Sequence, residues 1–283
     1  MLKVLNSGFY TTIQDTGRFG YRAYGVPLSG VMDSYSSQFA NAILGNANDT
    51  ALLELTMTGP TLHFLEPTII AISGANMQPK LNDRPIKMNI SISIETDDIL
   101  SFGRLNGGFR AYMAIKNGVL SETVLGSRSM YQPITSAARI MNNDTLEYES
   151  LVATKGRLNA NVKYRKDIIE NQILDVYKGP EFNTLPIERQ NQLLETRFNV
   201  SKHNSRMAYQ LEPTFENNLK SILTAPVLPG TVQLTPSGQL IVLMRDCQTT
   251  GGYPRILQLT EKAIHILSQK TTGNSIKIRL KDW

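Results

Sequence analysis

The sequence has 283 residues, a formal net charge of +5 and 41% apolar residues, enough to build one large or two medium domains. Charged residues make up 19%, below the soluble average of about 25%. Lys and Arg are dispersed, and the densest group, Lys163, Arg165 and Lys166, is short and followed by Asp167, so the footprint of a nucleic-acid binder is missing.

The only cysteine, Cys247, rules out an internal disulfide and fits a reducing cytoplasm. The first residues lack a basic region followed by a long apolar run, so a signal peptide is not expected. No apolar run approaches the ~20 residues of a membrane helix. His63, His203 and His265 are far apart in sequence, and H-x-H and H-x-x-x-H spacings are missing, so a zinc or iron site is not expected.

In chain order, the first helix signal starts at Asp33. That residue can cap a helix running to Leu44, with Phe39, Ala40, Ile43 and Leu44 on one face and Gly45 as the stop. The run 69–72 is continuously apolar and reads as a strand buried on both faces. Asn82-Asp83, between Leu81 and Ile86, reads as a tight hairpin turn, and Pro85 confines that hairpin to an edge. Met88, Ile90, Ile92 and Ile94 alternate with polar residues and predict a half-buried strand.

The stretch 153–166 is polar, basic and weakly periodic, and it reads as a connection. The expected organisation is an N-terminal subdomain over 1–152 and a C-terminal subdomain over 167–283. In the second part, Thr184 and Pro186 open a helix with Leu194 and Phe198 on its apolar side. The run 240–244 predicts another buried strand. Thr260 can cap a helix carrying Ala263, Ile264 and Leu267, and Ile276, Ile278 and Leu280 alternate as a final strand. Short helices among many strands predict a mainly-β fold, such as barrels with helical plugs.

Two glycine-studded polar stretches carry the candidate chemistry. In the first, 12–20 reads TIQDTGRFG and 25–33 reads GVPLSGVMD. Asp15 and Arg18 are suited to a charge-assisted pair or a substrate clamp. Ser29 and Asp33 flank the predicted helix start, where free N–H groups favour an anion; the plainer alternative is turn chemistry with Asp33 as an N-cap. In the second, 245–255 reads RDCQTTGGYPR and directly follows an apolar strand, which places it at a sheet rim. Asp246, Gln248, Thr249 and Tyr253 offer donors and acceptors there, and Arg255 offers charge. The plainer alternative is a wide turn with Gly251 and Gly252 at positive φ. Cys247, with no base nearby in sequence, reads as a buried inert thiol. Neither stretch matches a Walker phosphate loop, a Rossmann fingerprint or a G-x-S-x-G elbow.

Together with ANAILGN at 40–46, LE at 53–54, GPTLHF at 59–64, LGSRS at 125–129, PGTVQ at 229–233 and Gln269, these blocks resemble one family over about residues 4–280. It is the family of standalone carboxyltransferase-like proteins also called allophanate hydrolase subunit 2, Kip-type antikinase-binding (KipA-like) proteins or C-type 5-oxoprolinase subunits. The resemblance implies cyclophilin-like β-barrel units. It implies partnership with a B-type (KipI-like) carboxyltransferase subunit and an A-type 5-oxoprolinase subunit. Such complexes open 5-oxoproline to L-glutamate with ATP hydrolysis. ATP with Mg would act at the level of the complex, and biotin would not be attached to this chain.

On this resemblance the catalytic candidates are Asp15, Arg18, Asp246 and Tyr253. The substrate-binding candidates are Gln14, Ser29, Asp33, Gln248, Thr249, Thr250 and Arg255. Arg18 and Arg255 would neutralise charge during phosphoryl transfer to the lactam carbonyl. The resemblance leaves two alternatives open: a urea-carboxylase-type carboxyltransferase taking biotin from another chain, and a non-catalytic regulator that binds a kinase inhibitor. The chain departs from the family pattern at Ser205 and Ala208, where an Asp and a Gly are usual.

Overall fold

The computed structural model describes residues 1–151 and 163–282, so most of the predicted connection lies outside the described residues. The chain divides into two compact units, one of Met1–Arg18 and Ser29–Ile169, the other of Phe19–Leu28 and Glu170–Trp283. The segment Phe19–Leu28, within the first polar stretch, belongs to the second unit. Among the described residues no helix is long and apolar enough to cross a membrane.

The elements of the first unit are β1 (Leu2–Asn6), β2 (Tyr10–Gln14), α1 (Ser34–Leu44), β3 (Leu52–Thr56), β4 (Thr61–Phe64), β5 (Thr68–Gly74), β6 (Lys80–Leu81), β7 (Arg84–Pro85), β8 (Ser91–Ile94), β9 (Ile99–Ser101), β10 (Arg110–Ile115) and β11 (Thr145–Leu146). They form two sheets, ordered β11-β1-β4-β9-β6-β7 and β2-β3-β10-β5-β8. The period-2 alternation of side chains explains the layering. Leu53, Leu55, Ile70, Ile72, Ala111 and Met113 pack with Leu2, Val4, Leu62 and Phe64 in the core between the sheets. Their neighbours Leu52, Ala71, Tyr112 and Ala114 point the other way and pack under Ala40 and Leu44 of α1. The run 69–72 is therefore covered on both sides, as its sequence predicts.

The helix signals of α1 hold. Asp33 accepts a hydrogen bond from the Ser36 N–H at 3.1 Å, and Gly45 closes the helix at φ 62°. Asn82 and Asp83 take φ 50° and 61°, the positive pair that a tight hairpin turn requires, and Pro85 lies on the edge strand β7. The strand predicted over 88–94 begins only at Ser91. Asn89 adopts φ 63°, which breaks the extended run before it.

A single turn, α2 (Asp167–Glu170), precedes β12 (Ile173–Lys178), α3 (Ile187–Glu195), β13 (Arg197–Asn204), β14 (Ala208–Glu212), β15 (Ala225–Pro226), β16 (Thr231–Leu234), β17 (Leu240–Leu243), β18 (Thr250–Gly251), β19 (Arg255–Leu259), α4 (Glu261–Ser268) and β20 (Ser275–Leu280). Seven of these strands close a barrel in the order β12-β19-β16-β17-β14-β13-β20, and β15 pairs with β18 as a separate ribbon. The barrel closes through a parallel pairing of β12 with β20. Thr260 caps α4 by accepting from the Ala263 N–H at 3.2 Å. At α3 the sequence reading is corrected. Phe182–Thr184 form a 3-10 turn and Pro186 is the N-cap. Leu193 rather than Leu194 is the buried face of that helix, and Phe198 belongs to β13. The chain is mainly β with short helices, as expected.

Candidate functional site

β2 delivers Gln14 and Asp15 to the first polar loop. The Asp15 carboxylate accepts hydrogen bonds from Ser127 Oγ at 2.6 Å, Ser129 Oγ at 2.6 Å, the Arg128 N–H at 2.6 Å and the Gly17 N–H at 2.8 Å. Arg18 is buried; its Nε donates to the Val124 carbonyl at 3.2 Å and its Nη2 to the Ser129 carbonyl. Asp15 and Arg18 thus both grip the segment 124–129, which contains the LGSRS block of the sequence. Gly30 lies against the same loop: a Cβ there would sit 2.9 Å from the Thr16 carbonyl and the Gly17 nitrogen, at φ 84°. A polar cleft of about 300 Å³ opens beside this loop, with Asp15, Arg128, Asp49, Asn117 and Thr123 in its wall.

Beneath the start of α1 lies a buried polar row that sequence reasoning missed. Register places Thr12 beside Glu54, Glu54 beside Tyr112, and Tyr112 beside Ser73. Glu54 (1% exposed) faces Arg110 (2% exposed) at 3.7 Å and accepts the Met32 N–H at 2.7 Å. The Asp33 N–H donates to Tyr112 Oη at 2.8 Å. Ser36 Oγ bonds to Asp33 and lies 2.7 Å from Tyr164 Oη. The Asp33 carboxylate itself therefore occupies the helix N-terminus. Burial, reinforced by the nearby Glu54 and Asp33 charges, holds the Tyr112 hydroxyl well above its ordinary pKa, and burial with Asp33 does the same for Tyr164. The available signal was a polar residue within an apolar strand: Glu54 in LLELT, Arg110 and Tyr112 in RAYMAI.

In the second unit, Asp246 is held at two points by Arg206, Nε to Oδ2 at 2.8 Å and Nη2 to Oδ1 at 3.1 Å. Arg255 donates through Nε and Nη2 to Glu181 at 3.1 and 2.8 Å, and through Nη1 to the Pro226 carbonyl at 2.9 Å. These hydrogen bonds from Arg255 lower the Glu181 pKa. The Thr249 carbonyl accepts from the Val227 N–H at 3.1 Å. Thr250 pairs with Pro226 in the β15–β18 ribbon. Tyr253 is 40% exposed. The turn reading of Gly251 and Gly252 is corrected, since neither has positive φ. A Cβ at 251 would sit 2.4 Å from Nε2 at the end of the Gln233 side chain, which would have to move aside. Cys247 is buried, and burial lifts its thiol to about 11.

Gln14 Oε1 and Ser29 Oγ in the first unit, and Gln248 Oε1 in the second, are buried and make no hydrogen bond. Ser29 also holds φ 57° at 1% exposure, a conformation that costs free energy in a residue other than glycine. Among the substrate-binding candidates these three keep unspent hydrogen-bonding capacity, whereas the carboxylate of Asp33 and the guanidinium of Arg255 are engaged by protein groups.

Residues 24–280 match the sequence model of the family described as carboxyltransferase domain, subdomain A and B. The chain is 29% identical over 282 residues to the C-type 5-oxoprolinase subunit of Escherichia coli strain K12, covering 98% of this chain and 90% of that one. The urea amidolyase of Lachancea kluyveri is 47% identical over 130 residues, 46% of this chain and 7% of that one. Among solved structures, TTHA0988 superposes with a TM-score of 0.88 at 26% identity, covering 99% of this chain and 55% of that one. The K. lactis urea amidolyase superposes with a TM-score of 0.86 at 27% identity, covering 98% and 18%. The chain thus spans about half the length of TTHA0988 and under a fifth of that amidolyase.

Proposed function

Because the chain belongs to the carboxyltransferase domain, subdomain A and B, family, we propose that it is the C-type subunit of an ATP-dependent 5-oxoprolinase, which opens 5-oxoproline to L-glutamate. The observation that carries this reading is the extent of the match to the C-type 5-oxoprolinase subunit of Escherichia coli, which runs through 98% of this chain and 90% of the relative. The unspent polar groups of Gln14, Ser29 and Gln248 support it, because buried polar atoms without partners are costly unless a ligand meets them.

In this reading the protein acts with a B-type (KipI-like) carboxyltransferase subunit and an A-type 5-oxoprolinase subunit, in the cytoplasm. Arg18 and Arg255 keep their loops in shape, and within each unit the unspent groups, Gln14 and Ser29 in the first and Gln248 in the second, are open to a ligand. Among the described residues no group of three or more His, Cys, Asp or Glu side chains could hold a metal ion. ATP with its Mg²⁺ acts at the level of the complex in this reading.

A second reading, a urea-carboxylase-type carboxyltransferase, draws on the 47% identity to urea amidolyase over 130 residues. Biotin would then arrive on another chain. The experiment that separates these readings is co-expression with B-type and A-type subunits, followed by an assay of glutamate release from 5-oxoproline. Release that needs both ATP and this chain is the expected result. Release that persists when this chain is omitted overturns the proposal. Complex formation with no 5-oxoproline-dependent ATP turnover points to a regulator.

A further inference from the structure

The sheet β2-β3-β10-β5-β8 has two edges. One is covered, since the Ile13 and Thr11 carbonyls of β2 accept from the Met130 and Ile140 N–H groups at 2.9 Å each. The other edge is β8, Ser91–Ile94. Among the described residues its backbone pairs with β5 and with nothing else. The direction of its backbone groups follows from β5. The Lys116 N–H donates to the Ile69 carbonyl at 2.9 Å, so Ile69 bonds towards β10. Backbone groups alternate sides along a strand, so Ile70 bonds towards β8 and its partner there, Ile92. Ser91 and Ser93 therefore aim their N–H and C=O groups away from the sheet.

Native edge strands are protected by charge, proline or a bulge. β7, at an edge of the other sheet, carries Arg84 and Pro85. β8 has none of these devices: it reads SISI, and its register with β5 is unbroken. Ser91 and Ser93 are exposed, and Ile90 just before them is 43% exposed.

The strand complements itself. A second copy laid antiparallel, with Ile92 facing Ile92, sets Ser91 opposite Ser93 and Ile90 opposite Ile94. The outward backbone groups of the two serines then close on each other, and every isoleucine lies on one face. The flanking charges agree with this direction. Lys87 precedes the strand and Glu95 and Asp97 follow it, all exposed. Antiparallel pairing sets the basic end of one copy against the acidic end of the other, whereas parallel pairing would set like charges together.

We propose that β8 is a self-association edge, through which two copies of this chain join antiparallel into one continuous sheet about a two-fold axis. Such a pair needs neither ATP nor 5-oxoproline. A contact this short buries little area, so the dimer is weak and depends on concentration.

The test is sedimentation velocity of the full chain over a concentration series, with amide hydrogen exchange measured at the lowest and highest concentrations. A monomer–dimer equilibrium is expected, with exchange at Ser91 and Ser93 slowing as the dimer fills. Ser93→Pro removes an outward N–H without touching the bonds to β5, and it should weaken the dimer by roughly ten-fold or more. Lys87→Glu should weaken it by roughly three-fold, and adding Glu95→Lys should restore it. A chain that stays monomeric throughout overturns the proposal. So does a folded Ser93→Pro variant that associates as tightly as the wild type. If that variant loses its circular dichroism, Lys87→Glu decides, and unchanged association there overturns the proposal. Protection of Ser91 and Ser93 that follows added B-type subunit rather than chain concentration assigns the edge to that partner and overturns self-pairing.

Discussion

Arg206 and Asp246 form a two-point ion pair, 2.8 and 3.1 Å between donor and acceptor atoms, with side chains only 6% and 10% exposed. Arg206 sits in the segment where the sequence departs from its family at Ser205 and Ala208, yet the residue that meets Asp246 is retained. Removing one partner of a buried pair leaves a charge without compensation. Arg206→Met is therefore expected to destabilise the protein by about 3 kcal/mol. A double variant with Asp246→Leu should recover part of that loss. Urea unfolding of the three variants measures the coupling, and additive effects would contradict it.

The Asp15 carboxylate has a different use. It collects four hydrogen bonds, three of them from Ser127, Arg128 and Ser129. Asp15→Ala orphans those donors and is expected to cost about 3 kcal/mol. Amide hydrogen exchange over 124–129 should speed up more than elsewhere in the first unit. A variant that lost activity with unchanged exchange in this segment would instead mark Asp15 as a group that touches substrate.

Acid should act on the second unit through Glu261. Burial alone would raise its pKa, but the hydrogen bond from His265 and the Arg245 charge outweigh it and hold the carboxyl at about 2, against an ordinary 4.5. A carboxylate depressed on folding contributes stability that is full above its unfolded pKa and lost as pH falls through the folded one. The melting temperature is thus expected to drop between about pH 4.5 and pH 2, and Glu261→Gln should shrink that drop. An unaltered acid profile in the variant would show that other carboxylates, such as Glu181 and Asp175, dominate.

Cys247 should ignore thiol reagents in the native protein at neutral pH. Burial both hides the sulfur and lifts its pKa to about 11. Labelling with a chromogenic disulfide is expected only after denaturant is added. Rapid stoichiometric labelling of the native chain would contradict this.

Much of the fold was legible because its signals are local. Asp33 and Gly45 mark the ends of α1, Thr260 marks the start of α4, and Asn82-Asp83 mark a hairpin. The errors were also local. Asn89 left the extended region, and the face of α3 shifted by one residue to Leu193. The candidate loops read as polar and glycine-rich in the sequence, but the partners of their charged residues were not visible. Asp15 is satisfied by Ser127 to Ser129, Asp246 by Arg206 and Arg255 by Glu181. Those choices are made by tertiary pairing between distant segments, which no local spacing encodes. The membership of Phe19–Leu28 in the second unit is of the same kind.

The parallel pairing of β12 with β20 sets Ile173 beside Lys277. The strand that opens the barrel cannot find its neighbour until the strand that shuts it has been made. On the ribosome β12 must wait, with both flanks unprotected until β19 and then β20 are made, for nearly all of the unit to emerge, at about 5–20 residues per second. Such distant contacts fold slowly. Deleting β20 would leave β12 and β13 with bare backbone on the sides it covers, and a shortened chain of this kind is expected to stick to its own copies.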